Sequence, residues 1–485
     1  MDEKSLRKIT KKLEKEVESR PRDTGVRLRL ALSYMKLGDA LKASDQLASV
    51  IESDNKNAEA HYYFGILSAD QGEVDKALDY FRKTIQLDDK HGPAHYFLGK
   101  LLALTGDLSG ALKATEKASE VAPSNILART QLGELYIAAG RVNDAIDEWT
   151  KVLEVDPSNL QSLHNLGAAH TDARDYEKAL EYLLRAENLG SNHPGLFFNL
   201  GICSLATKNM EKAVSYLKKA TELEPNNPQS LTTLGEAYIS AGDIDKAMEI
   251  WKKALEISPE ETAAIYNLGL AHFQKGEKEE ALTLWRQCIS IDPRYVMAHR
   301  NLATVAIMDR DYDTAVSHWL EIKRVEPQSV EPDLALGELL FLKGEYSEAS
   351  EICKHLAKRL ADAGDVQDKR YVQSAAELLH GAVLLAMGKS KDGVSKWVRS
   401  MKYNPNFAMD NSGFITRSIW PELIEKAQKA ARDEDGNKAI RLVNSYVKEE
   451  TSAPSGITRD GDKEDSEDSG KGKKGARSWF FRGRK

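Results

Sequence analysis

Apolar positions along the chain recur in short runs at helical spacing, with polar turns between them. Ala213, Leu217 and Ala220 show one such run. Steps of three and four residues place side chains on one face of an α-helix. The runs themselves recur. Leu98-Gly99, Leu132-Gly133, Leu166-Gly167, Leu200-Gly201, Leu234-Gly235 and Leu268-Gly269 follow one another at intervals of 34 residues. Phe64-Gly65 and Leu30-Ala31 extend the frame backwards, and Leu302-Ala303 and Leu336-Gly337 extend it forwards. After a step of 44 residues, His380-Gly381 resumes it. Twelve residues after the glycine stands alanine, from Ala77 and Ala111 through to Ala349. Four residues later comes a bulky group, tryptophan at 149, 251, 285, 319 and 397. Proline closes most units, as at Pro123, Pro157, Pro225, Pro259, Pro293, Pro327 and Pro405.

These positions predict two antiparallel helices per unit. Small residues let the pair approach closely, and the aromatic fills the gap to the next pair. Proline stops the second helix and is tolerated in the first turn of the next one. Gly72, Gly106, Gly140, Gly242, Gly276 and Gly344 mark the ends of first helices. Eleven units are expected, starting near Thr24, Ala58, Gly92, Ile126, Leu160, Pro194, Pro228, Thr262, Val296, Val330 and Ser374. The tenth, 330–373, has an extended second helix around Tyr346–Asp362 or a loop after it. Residues 1–23 read as a capping helix with Leu6, Ile9, Leu13 and Val17 on one stripe, a coiled-coil or dimer contact being the alternative. Residues 408–450 read as a degenerate repeat that closes the array.

With this spacing and this Leu-Gly, Ala, aromatic and Pro pattern, residues 24–407 resemble the tetratricopeptide repeat (TPR) family. The resemblance implies an all-α fold, a right-handed superhelical solenoid of eleven to twelve helical hairpins. It also implies a concave groove lined by the first helix of each unit.

Length alone would suggest about three domains for 485 residues. The repeat replaces that estimate with one array of local contacts. Hydrophobic residues at 41% argue against a wholly disordered chain, and three cysteines cannot staple one this long. No apolar run reaches the length of a membrane span, and the N-terminus lacks the apolar core of a secretory signal. The expected location is therefore cytoplasmic. The formal charge of −7 divides unevenly, with −10 on residues 1–450 and +3 on 451–485. The net charge gives no general reason to expect nucleic acid.

Candidate catalytic chemistry is sparse. Cys203, Cys288 and Cys353 are far apart, and two of them occupy repeat core positions. Most histidines also fall on repeat positions: His61, His95 and His299 share one slot, and His170 and His272 another. No H-E-x-x-H pattern occurs. Gly388-Lys389-Ser390 lacks the leading glycine of a phosphate loop, since position 383 is Val383. No catalytic role, metal or cofactor is expected.

Two binding elements stand out. Two residues before the glycine, successive units carry Gln131, Asn165, Asn199, Thr233, Asn267 and Asn301. A carboxamide both donates to and accepts from a peptide backbone, so such a ladder can hold an extended chain. It resembles the asparagine ladder in the non-catalytic TPR superhelix of O-linked N-acetylglucosamine transferases. Tyr62, Tyr96, Phe198, Tyr266 and Phe273, with Met308 and Phe341, are groove or core positions of the same helices. Glu134, Glu236 and Glu338 share a further groove slot, where they favour a basic ligand or face solvent.

The tail 451–485 is acidic and Ser/Gly-rich at first, which predicts disorder. It ends in a basic, aromatic hook containing Lys473, Lys474, Arg477, Trp479, Phe480, Phe481 and Arg482. The hook suits docking to a protein or back onto its own array, contact from 471–485 with an anionic membrane surface such as the inner face of a membrane, or contact with RNA by charge and stacking. The reading is a non-enzymatic scaffold that binds a protein or peptide in its groove, with the tail as a second docking element. The alternatives are a membrane-associated assembly factor and a substrate-recruiting subunit of an enzyme supplied in trans. Self-association stays open.

Overall fold

The computed structural model describes residues 3–362 and 369–403, and in these it contains 23 α-helices and no strand. The segments expected as a closing repeat (408–450) and as a tail (451–485) lie outside the described residues. The chain divides into two compact units, Met1–Pro225 and Asn226–Lys485.

The first unit begins with α1 (Glu3–Ser19), which packs on α2. Six hairpins follow: α2 (Thr24–Leu37) with α3 (Ala40–Ser53), α4 (Ala58–Asp70) with α5 (Val74–Leu87), α6 (Gly92–Leu104) with α7 (Leu108–Val121), α8 (Ile126–Ala138) with α9 (Val142–Val155), α10 (Leu160–Asp172) with α11 (Tyr176–Asn188), and α12 (Pro194–Ala206) with α13 (Met210–Leu223). The second unit has five: α14 (Pro228–Ser240) with α15 (Ile244–Ile257), α16 (Thr262–Gln274) with α17 (Lys278–Ile291), α18 (Val296–Met308) with α19 (Tyr312–Val325), α20 (Glu331–Leu342) with α21 (Tyr346–Asp362), and α22 (Lys369–Ala386) with α23 (Ser390–Tyr403).

Local chemistry sets the ends of these helices. Asn57, Asn125, Asn159 and Asn227 cap first helices, and Asp39, Asp107, Asp175, Asp243 and Asp311 cap second ones. Each side-chain oxygen accepts a backbone N–H that the helix itself leaves unpaired. Between the two helices the chain turns through a left-handed residue. At Gly72, φ is 76°, and the N–H groups of Gly72 and Glu73 close back onto the Ala69 and Ser68 carbonyls. Arg174, Lys208 and Arg310 hold the same conformation without being glycine. Packing of the helices on either side outweighs the steric cost of about 1–2 kcal/mol.

The recurring glycine marks a close approach. In four hairpins an indole lies flat against it. A Cβ built on Gly133, Gly235 or Gly381 would sit 2.3 Å from Trp149, Trp251 or Trp397, and one on Gly269 would sit 2.6 Å from Trp285. Each indole N–H also donates to a carbonyl of the first helix: Trp149 to Thr130, Trp251 to Thr232, Trp285 to Tyr266 and Trp397 to Leu378. In α10–α11 and α12–α13 leucines fill that place, with Leu183 against Gly167 and Leu217 against Gly201.

Two local expectations change. On α1, Ile9 is exposed, and the buried positions are Thr10 and Leu13. Leu13 and Val17 keep the expected apolar contact with the core, and the Thr10–Ser33 hydroxyl pair, at 2.8 Å, adds a polar anchor beside the exposed Ile9. In the second unit, every residue of α20 from Pro332 to Leu342 is buried, including Phe341 and Glu338.

The lengthened α21 has a structural role. Its 17 residues compare with 13 or 14 in the second helices before it. The fourth residue of several first helices donates to the carbonyl six residues earlier. Arg27 does so to Pro21, His61 to Asn55, His95 to Asp89, Arg129 to Pro123 and His299 to Pro293. The equivalent residue at the start of α20 is Asp333, and a carboxylate cannot donate. Arg359, near the end of α21, reaches back instead. It donates to the Gln328 carbonyl at 2.9 Å and the Pro327 carbonyl at 3.2 Å, and it pairs with Asp333.

Candidate functional site

In each unit, successive first helices approach one another more closely than successive second helices do. α6 touches α8 and α10 touches α12 in the first unit, and α14 touches α16 in the second. The first helices therefore line the inner wall, and their outward residues form the candidate groove.

The first unit brings three expected rungs into line. Gln131 on α8, Asn165 on α10 and Asn199 on α12 are all partly exposed. Gln131 donates to the Thr115 hydroxyl at 3.2 Å. Asn165 accepts from Gln161 at 3.1 Å through its side-chain oxygen. Asn199 makes no side-chain hydrogen bond among the described residues. Tyr62 sits half-buried in an aromatic cluster, 4.6 Å from the His91 ring and 5.0 Å from Tyr63 between centroids. Burial pushes its hydroxyl up to about 12. Tyr96 lies edge-on to Phe97 at 5.1 Å, and Phe198 is partly buried.

The second unit uses most of its expected rungs internally. The Thr233 hydroxyl donates to the Gln229 carbonyl of its own helix at 3.0 Å. Asn267 donates to Glu236 at 3.1 Å. Asn301 is only 6% exposed and donates to the Tyr266 hydroxyl at 3.2 Å, and Tyr266 is itself buried. Phe273 packs 5.7 Å from the core ring of Trp285. Asn301, Tyr266 and Phe273 therefore belong to the packing between helices and not to an open wall. Buried polar groups require such partners, and a neighbouring repeat supplies them. The expected tail residues Lys473, Lys474, Arg477, Trp479, Phe480, Phe481 and Arg482 lie outside the described residues.

A cavity of about 260 Å³ opens in the first unit between α8, α9 and α10. Glu134, Ile137, Trp149, Asn165, Ala168, Ala169 and Asp172 line it. It lies where α8 and α10 stand further apart than the neighbouring pairs of first helices. Partial burial pushes the Glu134 carboxyl up, and the neighbouring Asn165 carboxamide opposes that shift. Glu134 and Asp172 have no ion-pair partner among the described residues. Ile137, Ala168 and Asp172 escaped the sequence reading because they are not repeated residue types. Their signal is spacing, since Glu134 and Asp172 stand 38 residues apart, one unit plus one helical turn.

The thiols and most of the histidines serve packing. All three cysteines are buried, and burial pushes Cys288 and Cys353 up to about 12. His318 and His380 are brought down to about 4 by burial, reinforced by His299 for the first and Lys396 for the second. An unfolded histidine binds its proton near pH 6.5. Both groups are therefore better proton acceptors unfolded. Their effect on stability is neutral above pH 6.5 and becomes destabilising as the pH falls from there towards 4. The melting temperature is expected to drop across that window. In a His318→Gln, His380→Gln variant, melting recorded from pH 7 to 4 should show a flatter profile.

Comparisons with known proteins agree with this architecture. Models of the tetratricopeptide repeat match residues 28–92 and 130–194, 68–130 and 204–251, and 262–295, and a TPR repeat model matches 235–276. Together they cover more than half of the chain. The comparison with curated proteins gives no match. Among solved structures, the chain is similar to YrrB, a TPR protein with an unusual peptide-binding site, at 24% identity and a TM-score of 0.35, over 39% of this chain and 97% of that one. It is also similar to MamA from Desulfovibrio magneticus RS-1, at 22% identity and a TM-score of 0.32, over 34% and 94%. A third is PilF from Pseudomonas aeruginosa, at 18% identity and a TM-score of 0.39, over 43% and 95%. The repeated hairpins, the glycine–indole packing and these family matches lead to one assignment: the chain belongs to the tetratricopeptide repeat family, whose fold is a protein-interaction scaffold.

Proposed function

We propose that this chain holds an extended polypeptide segment along the first-helix wall of its first unit, and that its basic, aromatic tail is a second docking element. The carrying observation is the row of carboxamide residues Gln131, Asn165 and Asn199, each partly exposed and one on each of three successive first helices. The Gln131 oxygen and the Asn165 nitrogen are buried, and Asn199 makes no side-chain hydrogen bond among the described residues. Such groups pair with backbone N–H and C=O whatever the side chains of the ligand, which suits a scaffold serving several partners. Exposed apolar residues on first helices of this unit, Leu104 at the end of α6 and Leu127 at the start of α8, add surface for the ligand's side chains. The tail contributes seven basic residues and three adjacent aromatics between 471 and 485. The test compares capture of extended peptides by the full chain, by a Gln131→Ala, Asn165→Ala, Asn199→Ala variant, and by a chain lacking 471–485. The triple variant should fold and lose peptide capture by about tenfold or more, while the tail deletion retains it. Undiminished capture by a folded triple variant would remove the ladder from the mechanism.

A further inference from the structure

The cavity between α8 and α10 is small for a free ligand. Small-molecule sites usually occupy roughly 300–1,000 Å³, whereas this one measures about 260 Å³. One side chain of a longer molecule suits it better. Its lining is largely apolar: Trp149 and Ala169 are buried, Ala168 is partly buried and Ile137 is exposed. Its polar groups are two carboxylates and one carboxamide, with no cation. The Asn165 carboxamide is oriented by Gln161 and stands beside Glu134 in the lining. The second unit differs: there the equivalent carboxamide, Asn267, donates to Glu236.

We propose that this cavity receives a lysine or arginine side chain of a polypeptide held on the first-helix wall, with the aliphatic stem against Ile137, Ala168 and Trp149 and the cation between Glu134 and Asp172. The proposal rests on the groove reading and adds specificity to it. Lysine and arginine combine an apolar stem with a charged head, the two kinds of surface that line this cavity. An acidic side chain would meet two carboxylates with no counter-charge, so the cavity also rejects acidic segments.

The test uses an array of immobilised decapeptides in which one central position is fixed as lysine, norleucine or glutamate and the others are randomised. The full chain, a Glu134→Gln, Asp172→Asn variant and an Asn165→Ala, Asn199→Ala variant are applied at equal concentration. Both carboxylate substitutions conserve shape, and unchanged melting confirms folding. The full chain should prefer lysine over norleucine by about tenfold, the scale of one charge-assisted hydrogen bond. The first variant should bind both classes equally, at the norleucine level. The second variant should lose both classes together. A lysine preference that survives in the Glu134→Gln, Asp172→Asn variant overturns the cavity assignment, as does equal binding of lysine and norleucine by the full chain. Binding of neither class by the full chain overturns the groove reading and this proposal with it. Displacement of lysine peptides by a synthetic 471–485 peptide, lost in the Glu134→Gln, Asp172→Asn variant, would make the chain's own tail the occupant and overturn a separate partner.

Discussion

Replacing Trp251 by alanine should destabilise the second unit by about 3–5 kcal/mol. The indole is 2% exposed and lies against Gly235, and its N–H donates to the Thr232 carbonyl at 3.0 Å. Truncation removes a large apolar area, leaves a cavity at the centre of a hairpin and loses the indole's bond to the Thr232 carbonyl. The complementary change, Gly235→Ala, attacks the same contact from the other side. Its new Cβ would stand 2.3 Å from the indole nitrogen, so either the ring or the helix must move. Overpacking of this kind costs about 1–3 kcal/mol, against which alanine recovers about 1 kcal/mol of helix propensity. Trp251→Leu should be milder than Trp251→Ala, because leucines occupy this place against Gly167 and Gly201. The chain already contains a natural control. Where Ala303 replaces the glycine, Trp319 stays buried but its indole nitrogen has no hydrogen-bond partner. Urea denaturation with hydrogen exchange resolved by helix is the measurement. A loss under about 1 kcal/mol for Trp251→Ala would refute the keystone role of the indole. The loss should be concentrated in α14, α15 and their immediate neighbours, since a repeat array transmits little beyond adjacent contacts.

Arg359→Ala should cost about 3 kcal/mol, the scale of breaking a buried ion pair by removing one partner. Asp333 is 1% exposed and is held by Lys323 at 2.6 Å as well as by Arg359. Removing the guanidinium leaves a buried carboxylate with one partly exposed cation. It also leaves the carbonyls of Pro327 and Gln328 without their donor. Arg359→Lys should rescue only part of the loss, because an ammonium cannot serve a carboxylate and two carbonyls in one planar geometry. The decisive measurement is a double-mutant cycle with Asp333→Ala. The double variant should lose clearly less than the two single losses added together, because each single change strands the other's partner. Simple additivity would mean that the two side chains act independently and that the longer α21 has another cause.

These two sites differ in how far they could be read from the chain. Glycine, alanine and tryptophan recur in register, and their contact is made within one hairpin, 16 residues apart from Gly235 to Trp251. A periodic pattern therefore exposes it. The Asp333–Arg359 pair interrupts the pattern once, and a single departure has no period to read. From the chain alone, the extra length of the tenth unit could be an extended helix or a loop. The structure extends α21 as far as Asp362, which carries Arg359 to a place left without a donor.

The groove divides in the same way. The chain alone determines that Gln131, Asn165, Asn199, Thr233, Asn267 and Asn301 share one register position on successive first helices, because helical period and repeat length are local properties. It does not determine which of them stay open. That depends on a side chain from another repeat: Tyr266 closes over Asn301 from 35 residues away, and Glu236 engages Asn267 from 31 residues away. Glu134 and Glu338 occupy one slot, yet Glu134 borders an open cavity and Glu338 is buried. A repeat position specifies direction on a helix. Exposure, charge balance and free volume are decided by whatever the next repeat places opposite, and only the packed tertiary structure supplies that neighbour.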